Sequence, residues 1–281
     1  MRYLFIVCSL LSLCGCEAVI TGEDGGNVVV TFSPADGMYM RTAAADVFTK
    51  LNVMAFDASG NKVFSQVRTQ TVDDDSFGTM SFSLTEGTYT IVAVGHSSEK
   101  SATIKSPQSV QFTASDGKKL TDTFSHCSTL VVSEENDPHT LPMYRAVAMF
   151  RLTLTDESIP SAVTSFRFEY TGGSANFNPS TLEGNTKSTQ SELRSLSSDG
   201  TYEIFTFPYL SATGRLSIRV SALDAGGTII FSRQFDDVPI TRCRITEYRG
   251  MFFTDDPCSI HPVDVGFSVD EEWEGIDIID F

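Results

Sequence analysis

The stretch Val147-Ala148-Met149-Phe150-Arg151-Leu152-Thr153-Leu154 sets Ala148, Phe150, Leu152 and Leu154 at every second position, with Val147, Met149, Arg151 and Thr153 between them. A period of two marks a strand with one buried face, because successive side chains of an extended chain point to opposite sides. A helix would bring apolar residues back every three or four positions. The same alternation runs outward from here: Val28, Val30 and Phe32; Leu51, Val53 and Ala55; Met80, Phe82 and Leu84; Tyr89, Ile91 and Ala93. On the other side it continues with Phe166, Phe168 and Tyr170, then Leu216, Ile218, Val220 and Ala222, and finally Val263, Val265, Phe267 and Val269. Turn-forming strings separate the runs at Asp57-Ala58-Ser59-Gly60-Asn61, Glu86-Gly87, Asp116-Gly117, Asp199-Gly200 and Asp224-Ala225-Gly226-Gly227. Many short strands spaced by such turns predict an all-β fold of antiparallel sandwiches.

Composition agrees. There are 21 Phe and 8 Tyr against a single Trp, and β-branched and aromatic residues favour strands. A chain of 281 residues with 41% apolar residues is long enough for two cores. The polar segment 133–142 carries Pro138 and Pro142 and places a domain boundary there, giving β-domains over 28–138 and 139–281. A faint internal echo links Val53-Met54-Ala55-Phe56-Asp57-Ala58-Ser59-Gly60 to Val220-Ser221-Ala222-Leu223-Asp224-Ala225-Gly226-Gly227, each a strand running into an Asp-initiated turn. Asp and Glu outnumber Lys and Arg 36 to 20, for a formal charge of −16. With no basic cluster to offset that excess, a nucleic-acid backbone is excluded as a partner.

The N-terminus reads as an address. Arg2 precedes the uncharged run Tyr3–Leu13, which is too short to span a bilayer stably and has the form of a secretory signal. The run ends in Leu13-Cys14-Gly15-Cys16, which resembles a bacterial lipobox. That resemblance implies removal of residues 1–15 as a lipoprotein signal peptide and lipidation of Cys16. Glu17 follows in place of an Asp retention signal, so the outer membrane is the implied destination, and the glycine-rich residues 16–27 form a tether. Several acyl chains at ~0.8 kcal/mol per buried methylene hold a protein far more durably than one.

Cys127, Cys243 and Cys258 remain beyond the lipidated residue, without metal-ligand spacing. Buried free thiols are the favoured reading, with a Cys243–Cys258 bridge as the alternative. Asp73-Asp74-Asp75 and Asp255-Asp256 lack the spacing of a calcium loop and read as solvated charge. Four scattered His and no nucleophile motif leave an enzyme without a constellation to support it, and no metal or cofactor is expected. Arg145 and Arg151 are expected to pair with the abundant acids.

Local strings in their order resemble the FimB-type fimbrial anchors and fimbrillin-associated minor subunits of the Bacteroidetes. They are Leu51–Gly60, Gly87–Gly95, Tyr144–Leu154, Ile240–Phe253 and the closing Glu272-Trp273-Glu274-Gly275-Ile276-Asp277-Ile278. The resemblance implies two tandem transthyretin-like, Greek-key β-sandwich domains and a non-enzymatic lipoprotein that anchors or caps a fimbria, with a fimbrillin shaft subunit as partner. It also implies assembly by β-strand complementation, in which an unpaired edge accepts a strand from a neighbour. In polymerising relatives, cleavage after an Arg removes the first strand. Arg41 is the candidate position here, but a cut there would release the lipid, so an anchor is expected to keep Arg41 as a loop residue and residues 28–32 in their own groove. The segment 263–281 is then expected to engage the shaft, with Trp273, Ile276 and Ile278 as candidate partner-binding residues and a core or edge-covering role as the other reading of Trp273. The alternative function is a surface adhesin lipoprotein that binds glycan or protein.

Overall fold

The computed structural model describes residues 27–34, 47–69, 76–113, 117–133, 138–254, 260–262 and 276–277. The first half holds β1 (Val28–Pro34), β2 (Lys50–Phe56), β3 (Lys62–Thr69), β4 (Thr79–Phe82), β5 (Gly87–His96), β6 (Ala102–Ser106), β7 (Ser109–Phe112), β8 (Thr123–Val132) and β9 (Pro138–Arg145). The second holds β10 (Ala148–Leu154), β11 (Ser165–Thr171), β12 (Gly173–Ser174), β13 (Asn176–Asn178), β14 (Glu183–Gly184), β15 (Gln190–Ser195) and β16 (Thr201–Pro208). It continues through β17 (Thr213–Leu223), β18 (Ile229–Thr241), β19 (Ile245–Gly250), β20 (Ile260–Pro262) and β21 (Ile276–Asp277).

Each half is a sandwich. In the first, the layer β3-β2-β5-β8 faces the layer β9-β1-β4, and the two are joined at one corner by only two registered pairs, Phe124↔Arg145 and Ser125↔Tyr144. Val30, Phe32, Leu51, Val53, Ile91 and Phe124 fill the space between them. In the second, β15-β11-β17-β18 faces β16-β10-β19, around Phe150, Leu152, Phe166, Phe168, Ile218 and Val220. The alternating residues of the sequence supply these cores, since every second side chain of a strand enters the same layer. The run 263–269 lies outside the described residues.

The two sandwiches share one wiring. Each opens with a strand flanked by one antiparallel and one parallel neighbour: β1 lies between β4 and β9, and β10 between β16 and β19. The remaining strands correspond in chain order, β2-β3-β5-β8 with β11-β15-β17-β18. The echo read from the sequence pairs other elements, because Val53–Phe64 is the β2–β3 hairpin whereas Val220–Phe231 is β17–β18. What the two strings share is turn chemistry. Asp57 Oδ1 accepts from the Ser59 and Asn61 N–H groups at 2.8 Å, and Asp224 Oδ1 accepts from Gly226 and Thr228 at 2.8 Å. Gly60 and Gly227 both take φ of +81°, which a side chain would strain.

The second half of the segment 133–142 belongs to β9, a strand of the first sandwich. The expected boundary falls at the start of β9, which pairs with β1 and β8, so we place the junction at Ala146 and Val147. Both residues are fully buried: the Ala146 N–H donates to Thr123 O at 2.8 Å, and the Cys243 N–H to Val147 O at 2.9 Å. Two further features tie the halves together. The hairpin β6–β7, inserted in the first sandwich, pairs with β13–β14 from the second to form the sheet β14-β13-β7-β6. A third core lies between the sandwiches and includes Phe56, Val92, Val94, Phe112, Met149 and Phe207.

Candidate functional site

For a fold of this kind the candidate sites are strand edges and the strands that cover them, since unpaired backbone N–H and C=O groups are what one subunit can offer another. β1 is the middle strand of its layer. It runs antiparallel to β4 from Val28↔Phe82 to Thr31↔Thr79, and parallel to β9 from Val29↔Pro138 to Pro34↔Met143. Its inward side chains Val28, Val30 and Phe32 are almost wholly buried, and each contributes about 1.5–3 kcal/mol of apolar burial. Asn27, at the end of the expected tether, fixes the strand's entry: its Nδ2 donates to Leu84 O at 2.7 Å and its Oδ1 accepts from Leu84 N at 2.9 Å. On the far side of this sandwich, Arg68 of β3 reaches across to the carbonyls of Ser76 and Thr79, and Phe64 stacks on Phe82 at 4.2 Å. The two outer strands are thereby held against each other.

The equivalent layer of the second sandwich ends at β19, whose outer edge is covered from the chain's own C-terminal segment. β20 pairs with it antiparallel at Tyr248↔Pro262, Arg249↔His261 and Gly250↔Ile260. β21 pairs with it parallel at Ile245↔Ile276 and Thr246↔Asp277. Ile276 therefore has its backbone on β19, while Cys16, Arg41, Trp273 and Ile278 lie outside the described residues.

Both arginines weighed in the sequence are tied to acids. Arg145 is completely buried and grips Asp122 through Nε and Nη2 at 2.9 Å each, with its guanidinium over the Phe124 ring. Arg151 donates to Glu203 at 3.0 and 2.8 Å and stands 3.9 Å from Glu247. Cys127 is a half-buried free thiol and Cys243 is buried at the junction, while Cys258 lies outside the described residues. Burial pushes the Cys127 thiol up, so it is a poor nucleophile at neutral pH.

Sequence reading missed a polar cluster where the sandwiches meet. Glu192 of β15 is fully buried and accepts from the Tyr170 hydroxyl at 3.0 Å, the Leu120 N–H at 3.0 Å and Arg194 Nη2 at 2.5 Å. Lys100 Nζ, also buried, lies 3.9 Å from it. Desolvation lowers the Lys100 pKa against the pull of Glu192, and burial with the adjacent carboxylate raises that of Tyr170 well above its usual value. Nothing in the alternation of Gln190-Ser191-Glu192-Leu193-Arg194 signals this, because apart from Arg194 the partners Tyr170, Leu120 and Lys100 come from positions 22 to 92 residues away. A polar cleft of about 530 Å³ lies between the halves, lined by Thr90, Ser106, Gln108, Cys127, Thr129 and Ser180 among others, with no aromatic ring on its walls. Among the described residues no group of three His, Cys, Asp or Glu side chains is arranged to hold a metal ion.

Two tandem β-sandwiches, with β1 paired on both sides and the outer edge of β19 covered by β20 and β21, place the chain among two-domain all-β proteins. The sequence matches the family of Fimbrillin-A associated anchor proteins Mfa1 and Mfa2 over residues 13–278, and the chain belongs to that family. Among solved structures it resembles a candidate polysaccharide-binding protein from Bacteroides thetaiotaomicron, with 11% identity and a TM-score of 0.53, covering 87% of this chain and 99% of that one. It also resembles the fimbrial anchor protein Mfa2 from Porphyromonas gingivalis, at 15% identity and a TM-score of 0.45, covering 79% and 88% of the two chains. A fimbrial assembly protein from Parabacteroides distasonis matches at 11% identity and a TM-score of 0.41, over 80% and 90%. No curated protein matches the chain.

Proposed function

We propose that this protein is the lipid-anchored member of a fimbria, held in the outer membrane through Cys16 and joined to the first shaft subunit by β-strand complementation. The observation that carries this reading is β1, which pairs with β4 over Val28–Thr31 and with β9 over Val29–Pro34 and so occupies the middle of its own layer. A subunit whose first strand stays in place has no vacant position there to accept a neighbour's strand. Its remaining route to a shaft subunit is to donate a strand of its own. The C-terminal segment suits that role, because β21 lies on the outer edge of β19, at the end of its layer, where one strand can be exchanged for another. Exchanging that contact for a longer ladder on a partner gains roughly 0.5–1.5 kcal/mol net per added hydrogen bond, plus the side chains buried. On this reading Trp273, Ile276 and Ile278 enter the partner, and Arg41 remains uncut so that lipid and body stay connected.

Deleting residues 263–281 tests the proposal. The truncated protein is expected to fractionate with the outer membrane but to leave fimbriae unattached, and normal attachment by that variant would end it. Mass spectrometry of the native N-terminus should find an acylated Cys16 followed by an intact Met40-Arg41-Thr42 sequence; a mature chain that begins at Thr42 would refute the anchoring role.

A further inference from the structure

The two sandwiches have separate cores, and an apolar interface alone would let them slide, because hydrophobic attraction has no direction. Glu192 removes that freedom. It belongs to the second sandwich, together with the Tyr170 hydroxyl and Arg194, yet it also accepts the Leu120 N–H and faces the Lys100 ammonium, both from the first. Leu193 next to it donates its N–H to Gly117 O at 2.9 Å, so the outer edge of β15 is itself paired with a loop of the first sandwich. We infer that Glu192 is an interlock that fixes the alignment of the two sandwiches and makes them unfold as one cooperative body.

Three observations support this beyond the contacts themselves. Lys100 is buried and Glu192 is the carboxylate that compensates its charge, so a slipped interface would strand the ammonium away from water. Ala146 and Val147 form a two-residue link with no exposed surface, too short and too enclosed to act as a hinge. The shared sheet β14-β13-β7-β6 crosses the same interface with a fixed register, Asn176↔Gln111 and Phe177↔Val110. Register and ion pair specify one alignment, while the third core supplies the attraction. The inference concerns the body of the protein and holds whatever partner that body meets.

Hydrogen exchange of the full mature chain across a urea series, read by mass spectrometry, tests it. In the wild type, peptides from β2 and β5 and peptides from β11 and β17 should lose protection at one common midpoint. Glu192→Gln keeps the shape of the side chain but removes its charge, and should separate the two midpoints by about 0.5 M urea or more. Lys100→Met leaves β15 untouched and should separate them in the same sense, which keeps the test open if the Glu192 variant does not fold. Wild-type midpoints that already differ would overturn the inference. So would variants whose two midpoints fall together by equal amounts.

Discussion

At the residue scale, His96 carries the clearest dependence on pH. It is buried at the end of β5, its Nδ1 accepts from Ser98 N at 3.1 Å, and its ring meets Phe112 edge-on. Burial, aided by the positive charge of Lys50, depresses its pKa to about 4. The folded state therefore holds a neutral imidazole where the unfolded chain, near 6.5, takes up a proton, so stability is present above about pH 6.5 and is lost as pH falls toward 4. The shift corresponds to about 3 kcal/mol. Burial lowers the pKa of His126 as well, which adds to the loss with the same sign. Urea unfolding from pH 7 to 4 should show this slope, and His96→Gln should flatten it; an unchanged slope would rule out His96 as the source. Gly172 makes a second prediction. Its φ is +102°, and a Cβ there would lie 2.0 Å from Arg215 O, so Gly172→Ala should lower stability by roughly 2–4 kcal/mol, read from the urea midpoint. Cys243 also sits at positive φ, +64°, in the turn between β18 and β19. Nothing local predicts that conformation, because Cys does not favour it, and the burial of Val147 and Cys243 at the junction imposes it.

At the scale of elements, the long alternating strands were legible and the short ones were not. β1, β2, β5, β10, β11 and β17 each bury the residues their period marks, apart from Leu154 at the end of β10, which is partly buried. The hairpins β6–β7 and β13–β14 carry too few residues for a period, and each gains its partner only from the other half of the chain. Their importance shows in an aromatic stack across the interface: Phe177 lies on Phe207 at 4.4 Å, and Phe207 against Phe112 at 5.8 Å. Phe177→Ala leaves a cavity in that stack and should cost ~3–5 kcal/mol in thermal or urea unfolding, against less than 1 kcal/mol for Val67→Ala on the exposed side of β3. Equal effects of the two substitutions would mean that the third core contributes nothing to stability.

At the scale of the whole molecule, a second buried face distinguishes this body from two beads on a string. Val147 and Met149 stand on the side of β10 opposite its core, with Arg151 and Thr153 further along the same side. The first pair enters the third core, while Arg151 reaches the partly exposed Glu203. One strand face thus changes from interface to solvent within a single turn of the alternation. Separate fragments 28–145 and 147–281 would each expose this apolar surface. Each alone should therefore bind a hydrophobic dye and self-associate, and mixing the two should lower the dye signal. Fragments that stay monomeric and bind no dye would show that the interface is dispensable.

The sequence by itself determined that the chain is all-β, which residues face the two cores, where the Asp-initiated turns fall, and the family to which it belongs. These follow from period, turn chemistry and the order of local strings, all of which are written in neighbouring residues. Tertiary structure alone decided that β9 belongs to the first sandwich, that β1 is paired on both sides, that the C-terminal segment returns to β19, and that Glu192 meets donors from both halves. The physical reason is range: each of these depends on a partner that is distant along the chain and near in space, and the alternation of a strand says which side is buried without saying against what.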